Sequence, residues 1–181
     1  MRAVVIREFG PPRVLLPTHM PDPAVGPGQA LIEVQVANVT FVETQVRAGR
    51  PPHPAMLPSL PAILGNGVAG VVADVGAGVD TSWLGRRVIA SLRGTGGYAE
   101  RAIASADQLV AIPPELGTQE AVALLADGRT ALLLVQAAAI QPGEVVLVEA
   151  LRRRMLLTGL GGVCPGPGRR LVGSRLSRWV M

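Results

Sequence analysis

At 181 residues and 18.8 kDa the chain has room for one ordinary domain, or for a small domain and part of a second. Its 49% hydrophobic and 17% charged residues exclude an intrinsically disordered chain, and a single cysteine, Cys164, excludes an internal disulfide framework and a multi-cysteine zinc site. The formal charge of +4 is unevenly spread: residues 1–149 hold all thirteen acids and ten arginines, a net −3, whereas residues 150–181 hold seven arginines and no acid.

Ala3-Val4-Val5-Ile6 is a short apolar run ended by Gly10-Pro11-Pro12, and the charged Arg7-Glu8 denies it the length of a signal peptide's apolar core. A turn-rich connection (Pro21, Pro23, Gly26, Pro27, Gly28) leads to Leu31–Val36, where Ile32, Val34 and Val36 alternate with Glu33 and Gln35, the period of a half-buried strand. Residues 50–61 carry five prolines, which rules out a helix or a central strand there. Between Gly65 and Gly78, Val68, Val71, Val72 and Val75 favour a pleated surface, and the glycines allow tight bends or close backbone approach. Residues 85–90 and 98–103 read as two more strands. Short strands with frequent turns predict a small barrel.

After Pro113-Pro114 the period changes. Residues 118–126 and 130–139 are rich in Ala, Leu, Val and Gln, and predict two helical segments with a bend at Asp127-Gly128-Arg129. The same polar triplet argues against a membrane span through Ala121–Ile140, the most apolar window. Gln141-Pro142-Gly143-Glu144 stops the second helix, and Val145-Val146-Leu147-Val148 reads as a strand buried on both faces, the opening of a nucleotide-binding βαβ unit.

Several local motifs stand in a telling order: Met1-Arg2-Ala3-Val4-Val5, Pro27-Gly28-Gln29-Ala30-Leu31-Ile32-Glu33-Val34, Leu64-Gly65-Asn66-Gly67-Val68-Ala69-Gly70, Gly96-Gly97-Tyr98-Ala99-Glu100 and Pro142-Gly143-Glu144-Val145-Val146-Leu147-Val148. In that order they resemble the medium-chain dehydrogenase/reductase superfamily, closest to its zinc-free quinone oxidoreductase branch. The resemblance runs from Met1 to about Glu149. It implies a mainly β fold with α, a GroES-like β-barrel over residues 1–120. Linking helices and the first strand of an incomplete Rossmann-like α/β domain follow over 121–149. It also implies a reaction, NADPH-dependent hydride transfer to a quinone, enone or enal. In that chemistry the nicotinamide supplies the hydride and the protein supplies orientation and hydrogen bonds.

The resemblance also places residues. Thr40, Asn66, Asp127 and Thr130 stand where family members face the substrate or the nicotinamide. Thr40 occupies a position where zinc-free relatives often carry Asn, and Glu43 one where they often carry Asp. Thr40, Asn66, Ala126 and Gly67 match the positions of the catalytic zinc ligands and a neighbouring Glu in alcohol dehydrogenase-like relatives, and none of the four is a good zinc ligand. The expectation is a zinc-free site. Tyr98 is expected to pack, with its hydroxyl solvated.

The family continues after this strand with a glycine-rich turn, whose backbone amides meet the pyrophosphate. Here the chain reads Glu149-Ala150-Leu151-Arg152-Arg153-Arg154, and bulky arginines cannot reproduce that close approach. Residues 150–181 are therefore expected to be an irregular Arg/Gly/Pro-rich tail, a truncation or frameshift product, leaving a chain that binds NADPH weakly and is impaired as an enzyme. Trp179 is the only aromatic in that tail, so base stacking has almost no platform and nucleic-acid binding is not expected. The expected setting is soluble and cytoplasmic, away from membranes. The expected partners are a small quinone or conjugated carbonyl and, through apolar surface, a second copy. The alternative reading is a non-catalytic GroES-like module that binds a small ligand or a partner chain.

Overall fold

The β-branched and alternating stretches become eight strands in the computed structural model, which describes residues 1–141, 144 and 146. In chain order they are β1 (Arg2–Ile6), β2 (Leu16–His19), β3 (Gln29–Ala37), β4 (Ala62–Ile63), β5 (Gly67–Val75), β6 (Arg87–Ser91), β7 (Arg101–Ser105) and β8 (Leu109–Ala111). All recorded pairings are antiparallel. A three-stranded sheet runs β2-β1-β4 and a five-stranded sheet runs β7-β3-β5-β6-β8. The pairing of β3 with β5 shifts register twice, between Leu31 and Ile32 and between Val34 and Val36, and such irregularities increase local twist.

The two sheets are tied by the residues just before β7. Val4 N donates to Tyr98 O (2.8 Å) and Glu100 N to Arg2 O (3.0 Å), while Val34 N donates to Glu100 O (2.9 Å). The strand expected over 98–103 is thus divided: its first half follows β1, and from the Glu100 carbonyl onward it joins β3. Backbone hydrogen bonding to two different partners, invisible in the local pattern, makes that division.

Alternation decides the core. Ala30 and Ile32 of β3 are buried with Val68 and Val72 of β5, Val88 and Ala90 of β6, Ala104 of β7 and Leu109 of β8. With few aromatics, the interior is filled by branched aliphatics, each contributing about 1.5–3 kcal/mol on full burial. A second cluster joins Ile6, Val14, Val46 and Leu64, with Phe9 and Tyr98 packed against it. On the other face of β5, Ala69 meets Ile112, Ala121 and Val122.

The helical half follows the composition shift. α1 (Phe41–Arg47) is a helix that the strand-oriented pattern of the first hundred residues did not suggest. α2 (Thr118–Ala123) is followed by a π-helical turn over Leu124–Gly128 and by α3 (Arg129–Ala138), so the expected bend at Asp127-Gly128-Arg129 falls at that turn. α3 ends at Ala139, whose φ of 47° is left-handed. The stretch Thr118–Ala138 is long and apolar enough to cross a membrane by length and composition, yet Asp127 and Arg129 interrupt it, and Ala121 and Val122 are spent on the sheet. By its contacts the chain divides into units Met1–Ala126 and Asp127–Met181. In the second, Ala131 is buried and Leu132, Leu133 and Leu134 are each more than half exposed. The strand expected at 145–148 and the tail expected over 150–181 lie outside the described residues, apart from Val146 itself.

Gly70 marks the closest approach within the five-stranded sheet. A Cβ there would stand 2.0 Å from the Glu33 carbonyl oxygen and 2.9 Å from Ile32 Cγ2. Neither neighbour can yield without moving the backbone of β3. Gly70→Ala is therefore expected to lower stability by at least about 2 kcal/mol, measured by urea unfolding, whereas Gly78→Ala, with open space around its Cβ, costs only the strain of its positive φ.

Candidate functional site

Thr40 sits between the end of β3 and the start of α1 in an extended conformation, φ −95° and ψ 162°. Its hydroxyl oxygen accepts from Glu43 N (3.4 Å), and Glu43 returns a carboxylate oxygen, Oε2, to Thr40 N (2.5 Å). This reciprocal capping box satisfies two donors that a helix start would otherwise leave orphaned. The Thr-x-x-Glu spacing that builds it is present in the sequence.

Glu43 does more than cap. It is 7% exposed, the one buried charged side chain among the described residues, and its second oxygen, Oε1, accepts from Asn66 N (2.6 Å). One carboxylate therefore holds the backbone nitrogens of both Thr40 and Asn66, residues 26 positions apart. Buried carboxylates need this kind of compensation, because an unpaired one costs several kcal/mol.

Asn66 is secured at every other polar group but one. Its carbonyl accepts from Leu92 N (2.7 Å), and its side-chain oxygen accepts from Ser91 Oγ (3.1 Å) and from Gly94 N (2.7 Å). The loop around it interlocks with the loop before Tyr98. Gly96 N donates to Ile63 O, Gly97 N to Gly65 O and Tyr98 N to Leu64 O, at 2.7 to 3.0 Å. Gly65 has φ +102°, and a Cβ on it would come within 2.6 Å of Tyr98 Cδ1, so only glycine fits. Gly67 is needed for a parallel reason: the Asn38 side chain lies over it and accepts its N–H through Oδ1 (3.1 Å).

Tyr98 corrects one expectation. Its ring packs against the Ile6 cluster as foreseen, but its hydroxyl is buried rather than solvated and makes no hydrogen bond of normal geometry. Burial, and then the nearby negative charge of Glu43, push the phenol well above its usual range, so it stays protonated at neutral pH.

Of the four residues singled out from the sequence, the structure brings Thr40 and Asn66 together through Glu43. Asp127 lies exposed in the π-helical turn and Thr130 exposed in the first turn of α3, both in the second unit. Sequence reasoning noted Glu43 only as a departure from Asp, and gave no role to Asn38, Ser91 or Gly94. Glu43 alone had a readable local signal, the capping-box spacing. The others act through contacts across 25 to 29 residues.

The fit of the groups that the resemblance implies can be tested on these donors. Thr40, Asn66, Gly67 and Ala126 offer a zinc ion no thiolate, imidazole or carboxylate, and the described residues contain no group of three or more His, Cys, Asp or Glu able to hold a metal. A pyrophosphate needs free backbone amides at a glycine-rich turn. Around the Gly65–Gly70 and Gly94–Gly97 stretches, the amides of Gly67, Gly94, Gly96 and Gly97 are already committed to protein acceptors. The four matched positions thus do not fit a zinc, and these two glycine-rich stretches do not fit the pyrophosphate of a dinucleotide. Thr40 and Asn66 themselves are neutral polar residues, each partly buried.

The alcohol dehydrogenase GroES-like domain family matches residues 26–114. The quinone oxidoreductase of Pongo abelii is 37% identical over 151 residues, which are 82% of this chain and 45% of that protein. The structure of the quinone oxidoreductase from Coxiella burnetii superposes with a TM-score of 0.74 at 30% identity, over 80% of this chain and 47% of that one. That of Escherichia coli quinone oxidoreductase complexed with NADPH gives 0.69 at 27% identity, over 76% and 41%. The chain spans about half the length of the curated relatives it matches.

Two outcomes follow from the site's construction. Glu43→Ala orphans two backbone donors at once, and is expected to cost roughly 2–4 kcal/mol in urea unfolding at neutral pH. Tyr98 is the one tyrosine in the chain, so phenolate absorbance reports on it alone. Its folded-state ionisation is raised above the ordinary value of 10.0, so the unfolded chain loses this proton first. Stability should therefore be fully present below pH 10 and fall as pH rises above it, with phenolate absorbance appearing only on unfolding; Tyr98→Phe should flatten that fall.

Proposed function

We propose that this chain, which belongs to the medium-chain dehydrogenase/reductase superfamily on its quinone oxidoreductase branch, is the carbonyl-binding part of an oxidoreductase of the quinone reductase type. The observation that carries this reading is the pair Thr40 and Asn66, held side by side by the buried Glu43 carboxylate. The substrate class is a quinone or a conjugated carbonyl, an enone or enal, and Asp127 and Thr130 belong to the same reading by family position.

In the family's reaction NADPH, when bound, supplies the hydride. The residues that support the reading, Thr40 and Asn66, belong to the carbonyl end of that reaction rather than to its pyrophosphate end. The domain reading is a GroES-like unit over 1–120, a linking segment over 121–149 and the arginine-rich remainder. The working picture is a soluble, cytoplasmic, zinc-free protein with no nucleic-acid partner.

A second reading rests on the exposed Leu132, Leu133 and Leu134: a non-catalytic module that binds a small ligand, or associates with another chain through that helix. Both readings meet in one experiment on the full chain. Isothermal titration with duroquinone is expected to show saturable binding, and a fluorescence titration with NADPH is expected to show none in the micromolar range. Micromolar NADPH binding would overturn the pyrophosphate argument. Duroquinone binding with no NADPH-dependent turnover favours the ligand-binding module.

A further inference from the structure

The hydrogen-bond inventory of Thr40 and Asn66 has a polarity that neither residue type dictates. Asparagine offers a carboxamide whose oxygen and nitrogen are sterically alike, so an asparagine side chain can present an acceptor or a donor. Here the ambiguity is removed from outside. The atom of Asn66 that lies 2.7 Å from Gly94 N must be the oxygen, because a backbone N–H can only donate. The hydroxyl of Ser91 adds a second donor to that same oxygen (3.1 Å). Asn66 Oδ1 is saturated and turned inward, and its Nδ2 is left with two protons, no acceptor among the described residues and access to solvent.

Thr40 is polarised in the same sense. Its Oγ1 accepts from Glu43 N, so one lone pair is engaged in the capping box, while its own hydroxyl proton has no acceptor among the described residues. The Glu43 carboxylate, in turn, spends its two oxygens on Thr40 N and Asn66 N. Acceptors across this cluster face inward and are used; apart from the fully buried Tyr98 hydroxyl, the hydrogens without an acceptor among the described residues belong to Thr40 Oγ1 and Asn66 Nδ2, on residues that are only partly buried. A ligand that meets such a surface must bring an acceptor oxygen. It is also selected by charge. The Glu43 carboxylate accepts from the backbone nitrogens of both residues, and a negative charge held that close repels an anionic acceptor where a neutral one is tolerated.

We propose that Asn66 Nδ2, its orientation locked by Gly94 N–H, donates the hydrogen bond that holds the carbonyl oxygen of a neutral quinone or enone, with Thr40 Oγ1 as the second donor, and that the site thereby rejects carboxylate ligands. This rests on the carbonyl-binding reading above and specifies its chemistry. Gly94 and Ser91 act as positioning residues, since they touch Asn66 and not the ligand. When electron density builds on a carbonyl oxygen during reduction, a donor fixed in this orientation strengthens its bond without reorganising.

The test uses the full-length, ¹⁵N-labelled chain and two probes, duroquinone and benzoate. Duroquinone is expected to shift the Asn66 side-chain NH₂ resonances saturably while the Gly94 amide stays in place, and benzoate is expected to leave them unmoved. Asn66→Asp keeps an acceptor for Gly94 N–H and Ser91 but removes the donor, and should weaken duroquinone binding by about tenfold or more. The wild-type side-chain resonances decide the matter even if that variant folds poorly. Duroquinone binding that leaves the Asn66 NH₂ unmoved, or that Asn66→Asp retains in full, overturns this assignment and leaves the carbonyl-binding reading standing. Benzoate binding more tightly than duroquinone overturns the charge argument. No duroquinone binding at all overturns both the assignment and the reading it rests on.

Discussion

The carboxylate of Glu43 is the point at which three segments of the chain are made to agree. It closes the first turn of α1 on Thr40, reaches the entrance of β5 at Asn66, and lies near enough to Tyr98 for its charge to be felt by the phenol. A buried charge is tolerated only when its lone pairs are occupied, and here backbone N–H groups occupy them. The geometry of Thr40 and Asn66 is therefore a by-product of solving an energetic problem in the core. Neither side chain needs to be held by its own packing, because the main chain beneath it is already held.

Around that point the glycines act by being absent as side chains. Gly65 leaves room for the Tyr98 ring, Gly67 for the Asn38 carboxamide and Gly70 for the β3 backbone. Each permits an approach that any Cβ would forbid, and together they let the loops before β5 and before β7 exchange hydrogen bonds. Those exchanged bonds also tie the two sheets, through residues 98–100, into one framework. The arrangement is thus built on main-chain contacts of the sheets, with α1 the helix among the described residues that contributes to it.

The charge asymmetry of the chain takes on a definite meaning beside this. The unit that carries Thr40, Glu43 and Asn66 belongs to the mildly acidic stretch, and there a buried negative charge is bonded to the backbone nitrogens of two neutral residues. The positive excess lies in residues 150–181, in the half of the family's architecture for which this chain has no recognisable glycine-rich turn. Fold alone would not settle the activity, since the GroES-like framework serves as a platform for chemistry supplied elsewhere.

Much of this was legible in the residues. Alternation at 31–36 placed β3 and its buried face, β-branched residues between glycines placed β5, and the shift to Ala and Leu after Pro113-Pro114 placed the helices, because periodicity and propensity act locally. Ordered motifs were enough to indicate the family, and with it Thr40 and Asn66. The tertiary structure alone decided that the segment 98–103 divides between two sheets, that the Tyr98 hydroxyl is buried, that Glu43 joins Thr40 to Asn66, and that Gly94 and Ser91 turn the Asn66 amide so that its donor faces out. Each of these depends on a hydrogen bond or close contact between residues about 20 to 95 positions apart, and a sequence carries no local signature for which distant donor will meet which acceptor.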